Sequence, residues 1–290
     1  MAKFSIEAVK PKIGGIVHVD RTAMCDDEVV QACRQALEER SVLVFPRAGL
    51  SDAEQLAFTD RIGTRINFNR HSPGSNASAP DVYRITLDRA VNDQPEYVQG
   101  TFFWHIDGVT LDMPPPKATL LSARKLAPRG GQTEFCNTYA AYEALPADEK
   151  AELEGLMAVH SLEASMRPVF DTPSPEDLAR WRRQSAVMEH PIVWTHASGR
   201  KSLLIGTHAD RVLGMPLPDG RALLTRLLQW ASQPQFCYRH QWQPGDFVVW
   251  DNCGTMHRVI PYDADCGRTM HRTSIAGQER VNGSRVAAAS

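Results

Sequence analysis

The sequence predicts a mainly β fold with flanking helices, of the β-sandwich or jelly-roll type. The second half of the chain contains many short runs of β-branched and aromatic residues bounded by turn-forming residues. Irregular segments near 64–80 and 164–190 are predicted to be insertions, and many short strands with insertions favour a sandwich or a jelly roll. The strand-like runs are HPIVW (190–194), SLLIG (202–206), YRHQW (238–242), DFVVW (246–250) and TSIAG (273–277).

Helices are predicted from apolar spacing and from capping residues. Apolar residues recur at helical spacing over 26–40, and the run 41–45 (SVLVF) that follows is predicted to be a buried strand. Ser51 and Glu54 form a capping box that opens a second helix. Shorter helices are predicted at 174–183 and 220–232.

Length and composition favour one soluble domain. A chain of 290 residues can bury a sizeable core, and we expect one domain over 1–280 with a flexible tail at 281–290. Hydrophobic residues at 42% and charged residues at 23% are ordinary globular values, which argues against disorder and membrane spanning. Lys and Arg number 32 against 34 Asp and Glu, without long runs of one sign, so no nucleic-acid or membrane surface is predicted.

The amino terminus and the cysteines predict a cytoplasmic protein. The first fifteen residues lack an apolar signal region. The cysteines include no C-x-x-C pair, and we expect reduced thiols that pack as small apolar side chains. They are Cys25, Cys33, Cys136, Cys237, Cys253 and Cys266.

A His-x-Asp pair on a strand would place two metal ligands on one face, because side chains alternate along a strand. The chain contains three such pairs, at 18–20, 105–107 and 208–210. Context favours His105 and Asp107, which lie in the aromatic run TFFWHIDGVT ahead of a triple proline. The pair at 18–20 precedes any rigid core element, and His208 is expected to line a pocket instead.

The third candidate ligand is His257. It follows a buried strand in WQPGDFVVWDNCGTMHRV. Two histidines and one carboxylate bind iron on one face and leave three positions open, which is the arrangement of non-haem Fe(II) oxygenases. Arg268 and Arg272 follow and share one face of a predicted strand. Two inward guanidinium groups call for two anions.

These residues resemble the TauD/TfdA family, the taurine and 2,4-dichlorophenoxyacetate branch of the Fe(II)/2-oxoglutarate-dependent dioxygenases. The resemblance spans nearly the whole chain and implies a double-stranded β-helix, a jelly roll with helices packed outside. Flanking segments such as GRKSLLIGTHADRVLGM are closer to the aryloxyalkanoate-degrading members than to the taurine members. The resemblance rests on WHIDG, LAPRGGQTEFCNTYAAYEALP, GDFVVWDN and the spacing of His257, Arg268 and Arg272.

The resemblance also implies the residue roles. His105, Asp107 and His257 are expected to bind Fe(II). Thr133 and Arg268 are expected to bind the far carboxylate of 2-oxoglutarate. The implied reaction uses O2 to hydroxylate a small anionic substrate, expected to be a carboxylate and aryloxyalkanoate-like, and produces succinate and CO2. Substrate contacts are expected from Arg272 and His208, in an enzyme expected to be a homo-oligomer.

Other functions stay open from the sequence alone. The same family could act on taurine, an alkylsulfonate or another organic acid. A cupin-like Zn(II) hydrolase or isomerase would use the three ligands but leave Arg268 and Thr133 without a role. A jelly-roll binding protein with a decayed site is disfavoured by the intact ligand set.

Overall fold

A large mixed β-sheet with helices on one face dominates the computed structural model, which describes residues 4–66, 77–79 and 81–287. The strands are β1 (Phe4–Ala8), β2 (Gly15–Val19), β3 (Val42–Phe45), β4 (Arg65–Ile66), β5 (Ala77–Ala79), β6 (Val82–Ile85), β7 (Ala118–Lys125), β8 (Thr133–Asn137), β9 (Met157–His160), β10 (Met188–Pro191), β11 (Val193–Thr195), β12 (Lys201–Leu203), β13 (Ala209–Val212), β14 (Cys237–His240), β15 (Phe247–Asp251), β16 (Thr255–Val259), β17 (Thr269–Ile275) and β18 (Arg285–Val286). The helices are α1 (Asp27–Arg40), α2 (Asp52–Ile62), α3 (Glu96–Gly100), α4 (Thr138–Glu143), α5 (Ala147–Leu153), α6 (Leu162–Met166), α7 (Pro175–Gln184) and α8 (Leu217–Ala231).

The helical signals in the sequence are confirmed. α1 follows the apolar spacing over 26–40, and α7 and α8 lie at the two shorter helical segments. At the start of α2, the Ser51 hydroxyl accepts a hydrogen bond from the Glu54 amide, and the Glu54 carboxylate accepts one from the Ser51 amide. The capping box therefore forms as its spacing predicts.

The large sheet buries both of its faces. Within the described residues its strand order is β1-β2-β3-β15-β7-β17-β6-β5, with β4 paired to β17. Along β15, Phe247 and Val249 face the cluster that α1 and α2 cover, whereas Val248 and Trp250 face the opposite cluster. This alternation is the two-residue period of a strand, and it explains why β15 is apolar throughout.

A smaller sheet of order β14-β8-β16 lies against the second face of the large sheet. Phe135 on β8 joins the same apolar cluster as Trp250, and the two ring centroids are 5.3 Å apart. His257 on β16 pairs directly with Phe135 in the antiparallel register. The packing of the two sheets therefore holds His257 in the space between them.

The carboxyl-terminal residues are not a loose tail as far as they are described. Val281 is 4% exposed and belongs to the apolar cluster under α4 and α8. β18 pairs with β10, and the Ala287 amide donates to the Val187 carbonyl. The prediction of a flexible tail at 281–290 is therefore wrong for 281–287, because strand pairing that the sequence did not signal ties these residues down. Residues 288–290 lie outside the described residues, as do 67–76 and 80 of the predicted loop at 64–80.

Two of the six cysteines form a disulfide, which corrects the prediction of reduced thiols throughout. Cys136 and Cys237 are direct partners in the β8–β14 register and are joined to each other. They are 101 residues apart in the chain, so only the strand pairing brings them together. Within the described residues, no helix combines the length and the apolar character needed to cross a membrane.

Candidate metal centre

His105 and His257 face each other across a pair of backbone hydrogen bonds. The His105 amide donates to the His257 carbonyl at 3.0 Å, and the His257 amide donates to the His105 carbonyl at 2.9 Å. Directly paired residues present their side chains on the same face, and the two imidazole centroids lie 4.2 Å apart. The expectation that His105 and Asp107 lie on a strand is wrong. His105 forms an isolated β-bridge and Asp107 begins a turn, in which Gly108 has a φ of +80°.

Asp107 completes a three-residue cluster. One of its oxygens, Oδ1, lies 3.8 Å from Nε2 of His105 and 3.8 Å from Nε2 of His257. In the described part of the chain, this is the group of His, Cys, Asp and Glu side chains that could hold a metal ion, with its ligand atoms within 4.8 Å of one another. Nδ1 of His105 bonds to the Phe103 carbonyl at 2.8 Å, so it carries the hydrogen and leaves the Nε2 lone pair free.

The protonation states suit metal binding. Burial lowers the pKa of His105, and burial together with His105 lowers the pKa of His257 to about 3. Burial opposes ionisation of Asp107, but His257, Arg272 and His105 together lower its pKa to about 2. At neutral pH the site therefore holds two neutral imidazoles and one carboxylate, which are the forms that coordinate a metal ion.

A buried hydrogen-bonded chain orients the Asp107 carboxylate. The Thr119 hydroxyl donates to Asp107 Oδ2 at 2.8 Å, and the Asn252 amide donates to the Thr119 hydroxyl oxygen at 2.8 Å. The Trp250 indole donates to Asn252 Oδ1 at 2.9 Å. This chain occupies Oδ2, so Oδ1 is the oxygen that faces the two histidines.

The two other His-x-Asp pairs lie outside the cluster. The His18 side chain is 54% exposed and lies 3.5 Å from Glu7. Asp20 caps a short 3-10 helix at Thr22. Asp210 is paired with three arginines at the surface, Arg167, Arg211 and Arg221.

A cavity of about 190 Å³ opens beside His105 and Asp107, and we call it the central cavity. Arg272 lines it with a guanidinium group that stacks 4.7 Å from the Tyr83 ring centroid. The Nη1 atom of Arg272 lies 3.9 Å from Asp107 Oδ1. The aliphatic and methionine side chains of its wall are Ile85, Val98, Ile106, Val109, Leu162 and Met166.

Arg268 directly precedes β17 and is buried, but it does not line the central cavity. It is 2% exposed, stacks 4.8 Å from the Tyr262 ring centroid and donates to the Gly131 carbonyl at 3.1 Å. Burial lowers the pKa of this guanidinium. Its Nε has no hydrogen-bond partner, and no carboxylate among the described residues forms an ion pair with it. A buried charge of this kind is costly unless a ligand supplies the counter-charge.

Thr133 lies close to Arg268 in the fold, since Gly131 precedes it by two residues. The Thr133 hydroxyl accepts a hydrogen bond from the Trp242 indole at 3.0 Å. Trp242 and Arg268 line a small cavity of about 100 Å³ together with residues 126–132. The hydroxyl of Thr133 keeps its own hydrogen available for donation.

His208 lines the central cavity but uses both ring nitrogens inside the protein. Its Nε2 accepts from the Ile106 amide at 3.2 Å, and its Nδ1 bonds to Nδ1 of His160 at 2.8 Å. Burial lowers the pKa of His208 and of His160 well below the usual range. Any contact of His208 with a ligand must therefore use the carbon edge of the ring.

The residues that support the candidate ligands were not predicted from the sequence. Asn252 and Trp250 were visible in GDFVVWDN, where a polar residue directly after a buried strand was a usable signal. Thr119 has no local signal, because a threonine in an apolar run is ordinary in a strand. Tyr83 under Arg272 and Trp242 beside Thr133 are contacts between segments far apart in sequence.

Comparison with known proteins identifies the family of the chain. The model of the family described as taurine catabolism dioxygenase TauD, TfdA family, matches residues 5–274. The chain therefore belongs to the TauD/TfdA family. It is an Fe(II)/2-oxoglutarate-dependent dioxygenase, and its His-Asp-His cluster offers the two histidines and one carboxylate that can hold a metal ion in this class.

Two related enzymes and one solved structure show the degree of similarity. The chain is 38% identical to an alpha-ketoglutarate-dependent 2,4-dichlorophenoxyacetate dioxygenase from Cupriavidus pinatubonensis, over 90% of this chain and 93% of that protein. It is 33% identical to an (S)-phenoxypropionate/alpha-ketoglutarate-dioxygenase from Sphingobium herbicidovorans, over 94% and 95%. A crystal structure of AAD-2 with Mn(II) and N-oxalylglycine is similar with a TM-score of 0.79 at 32% identity, over 96% and 99%.

We expect Thr119→Val to weaken metal binding while Thr119→Ser preserves it. Valine has the shape of threonine but cannot donate to Asp107 Oδ2, whereas serine retains the hydroxyl. Loss of such a supporting hydrogen bond typically costs roughly tenfold to a hundredfold in metal affinity. Calorimetric titration of the apoprotein with Mn(II) measures the effect. Equal affinities for the two variants would contradict the orienting role of Thr119.

Proposed function

We propose that this enzyme hydroxylates a small carboxylic acid with an apolar body, of the aryloxyalkanoate type. His105, Asp107 and His257 would hold Fe(II), and Arg268 would bind the far carboxylate of 2-oxoglutarate. One observation carries the proposal: Arg268 is a buried guanidinium without an acidic partner among the described residues. An anionic co-substrate would supply the missing charge, whereas a hydrolytic metal site that needs no co-substrate leaves Arg268 without a role.

Some side chains would bind the metal and the co-substrate, and others would orient the substrate. When bound, Fe(II) with 2-oxoglutarate and O2 supplies the oxidation of a C–H group to C–OH, with release of succinate and CO2. His105, Asp107 and His257 would hold the Fe(II), and a set of two histidines and one carboxylate is typical of oxygenases that bind a co-substrate and O2 at the metal. Thr133 would donate its hydroxyl hydrogen to the carboxylate that Arg268 binds. Arg272 would orient the substrate, and the apolar wall would exclude water.

The central cavity supports an apolar acid as the substrate. Arg272 offers a planar, bidentate donor to a carboxylate beside the metal ligands. Among the described residues of the wall, Asp107 is the one carboxylate, and the metal site uses it. The amino group of taurine would therefore find no acidic partner there. Similarity to the 2,4-dichlorophenoxyacetate and phenoxypropionate dioxygenases supports the same substrate class.

We also propose the detailed fold, the domain bounds, the cellular location and the oligomeric state. The stacking of the β14-β8-β16 sheet on the large sheet supports a double-stranded β-helix. One domain over 1–280, a cytoplasmic location and a homo-oligomeric state stay predictions from the sequence.

The ligand assignment is tested by metal content and by absorption spectra. We expect His105→Ala, Asp107→Ala and His257→Ala to lose Fe(II) and the weak visible band that Fe(II) and 2-oxoglutarate give under anaerobic conditions. His18→Ala and Asp210→Ala are the controls, because they remove residues of the other His-x-Asp pairs and should retain both signals. Full iron occupancy in the Asp107→Ala protein would overturn the assignment, and absence of the band in the wild type would favour a non-oxygenase metalloenzyme.

Replacing Arg268 tests the co-substrate site. We expect Arg268→Gln to raise the KM for 2-oxoglutarate by roughly tenfold or more, since a charged hydrogen bond lost in a buried site costs about 1.5 to 3 kcal/mol. Arg268→Lys should fall between this variant and the wild type, because lysine keeps the charge but loses the bidentate fork. Iron content should stay normal in both. An unchanged KM in Arg268→Gln would show that another residue binds the far carboxylate of 2-oxoglutarate.

Replacing Arg272 tests the substrate class. We expect Arg272→Ala to raise the KM for the best carboxylic acid by roughly one to three orders of magnitude, in line with about 2 to 4 kcal/mol for an unpaired charge in a partly dry site. The KM for 2-oxoglutarate should change little. The assay measures substrate-dependent succinate formation with aryloxyalkanoates, alkylsulfonates and taurine. Arg280→Ala, which removes an exposed arginine paired with Asp112, is the control.

A different pattern of KM changes would indicate another role for Arg272. Equal losses for both substrates would show that Arg272 is structural. A neutral analogue turned over as well as the acid would remove the anionic substrate from the proposal.

A further inference from the structure

Three buried histidines adjoin the metal ligands without belonging to them. His160, His190 and His208 are at most 3% exposed. The ring centroids of His160 and His208 are 4.9 Å apart, and those of His160 and His190 are 5.0 Å apart. Burial of an imidazole is costly unless its ring nitrogens form hydrogen bonds, so the hydrogen bonds of these three rings need an account.

The hydrogen bonds of His208 fix its tautomer and that of His160. The Ile106 amide can only donate, so Nε2 of His208 accepts its hydrogen bond. A neutral His208 must then carry its hydrogen on Nδ1 and donate it to Nδ1 of His160. Ile106 lies between two metal ligands, so this bond holds the middle of the ligand segment.

His190 holds the same segment on its other side. The Val109 carbonyl can only accept, so Nε2 of His190 donates to it at 2.7 Å. Nδ1 of His190 is then the acceptor for the Ser284 hydroxyl. The two backbone contacts, at Ile106 and Val109, lie on either side of Asp107.

The backbone of residues 206–207, just before His208, packs directly against the backbone at Trp104 and His105. The Thr207 amide donates to the Trp104 carbonyl at 2.8 Å. Gly206 has a φ of +147°, and a Cβ added there would lie 2.9 Å from the Trp104 carbonyl oxygen and 2.9 Å from Nε2 of His208. Glycine is required at this position, because any side chain would separate the two segments.

We propose that His208, His160 and His190 form a histidine clamp that positions the His105-to-Val109 segment for metal binding, with His208 as a positioning residue. The inference rests on the proposed metal site. The segment needs such support because it is a turn whose one β-bridge lies at His105, ahead of Asp107. With both nitrogens engaged in the clamp, His208 has no polar atom left for the substrate.

The test compares two replacements of His208 by their affinity for Mn(II). His208→Gln places an amide oxygen about where Nε2 lies, so it can still accept from the Ile106 amide. His208→Leu is similar in bulk but cannot accept. In calorimetric titrations of the apoproteins with Mn(II), we expect His208→Leu to bind roughly tenfold or more weakly than the wild type. His208→Gln should remain within about threefold of the wild type.

A matched control separates positioning from general loss of stability. His196 is also buried and also hydrogen-bonded, to Ser202, but it does not contact the ligand segment. His196→Leu should lower the thermal unfolding temperature of the apoprotein while leaving the affinity for Mn(II) within about twofold. If His208→Leu does not fold, His190→Phe keeps an aromatic ring and removes the donor to Val109. It should bind Mn(II) several-fold more weakly.

Defined outcomes would overturn the clamp. Wild-type affinity for Mn(II) in a folded His208→Leu or His190→Phe protein would do so, and so would equally weak binding by His208→Gln and His208→Leu. A raised KM for the organic acid with unchanged Mn(II) affinity would make His208 a substrate contact instead. His257→Ala is the reference variant. If this variant binds Mn(II) as the wild type does, the assignment of the metal site is wrong. If it loses Mn(II) while His208→Leu binds Mn(II) normally, the metal site stands and only the histidine clamp is rejected.

Discussion

The reciprocal backbone hydrogen bonds between His105 and His257 are the constraint on which the site depends. They join a turn, which has little regular structure of its own, to a strand held in the β14-β8-β16 sheet. That strand is fixed in turn by Phe135 and Trp250, whose rings pack in the apolar cluster between the two sheets. Close-packed cores resist small displacements, so the core transmits its rigidity to the two imidazoles.

The charged side chains at the site differ in whether the chain itself supplies a partner for them. Asp107 is ionised because it lies among two imidazoles and the guanidinium of Arg272. Arg268 stacks on an aromatic ring and donates to one backbone carbonyl, which leaves its charge without an acidic partner among the described residues. Desolvated charges of this kind lower stability until a ligand pairs with them, and for this reason they indicate binding sites.

Several features of the site were predictable from local sequence. The metal ligands could be chosen because an aromatic run and a buried strand flank them, and strand alternation placed Arg272 on the inward face. The supporting residues were not predictable, since Thr119 meets Asp107 only where β7 passes the ligand turn. The prediction of a strand at His105 also failed, because the same side-chain convergence arises from one β-bridge followed by a glycine turn.

Local sequence was enough to predict α1, α2, the strand at 246–250 and the side chains that can bind metal and anions. Apolar periodicity, caps and the donor atoms of each side chain are local properties, so they are legible without a fold. Contacts between residues far apart in the chain could not be predicted in this way. The pairing of Cys136 with Cys237, the pairing of β18 with β10 and the contact of His208 with the metal-ligand segment depend on strand register and packing. Those contacts are set by the burial of the whole core, and no short segment encodes them.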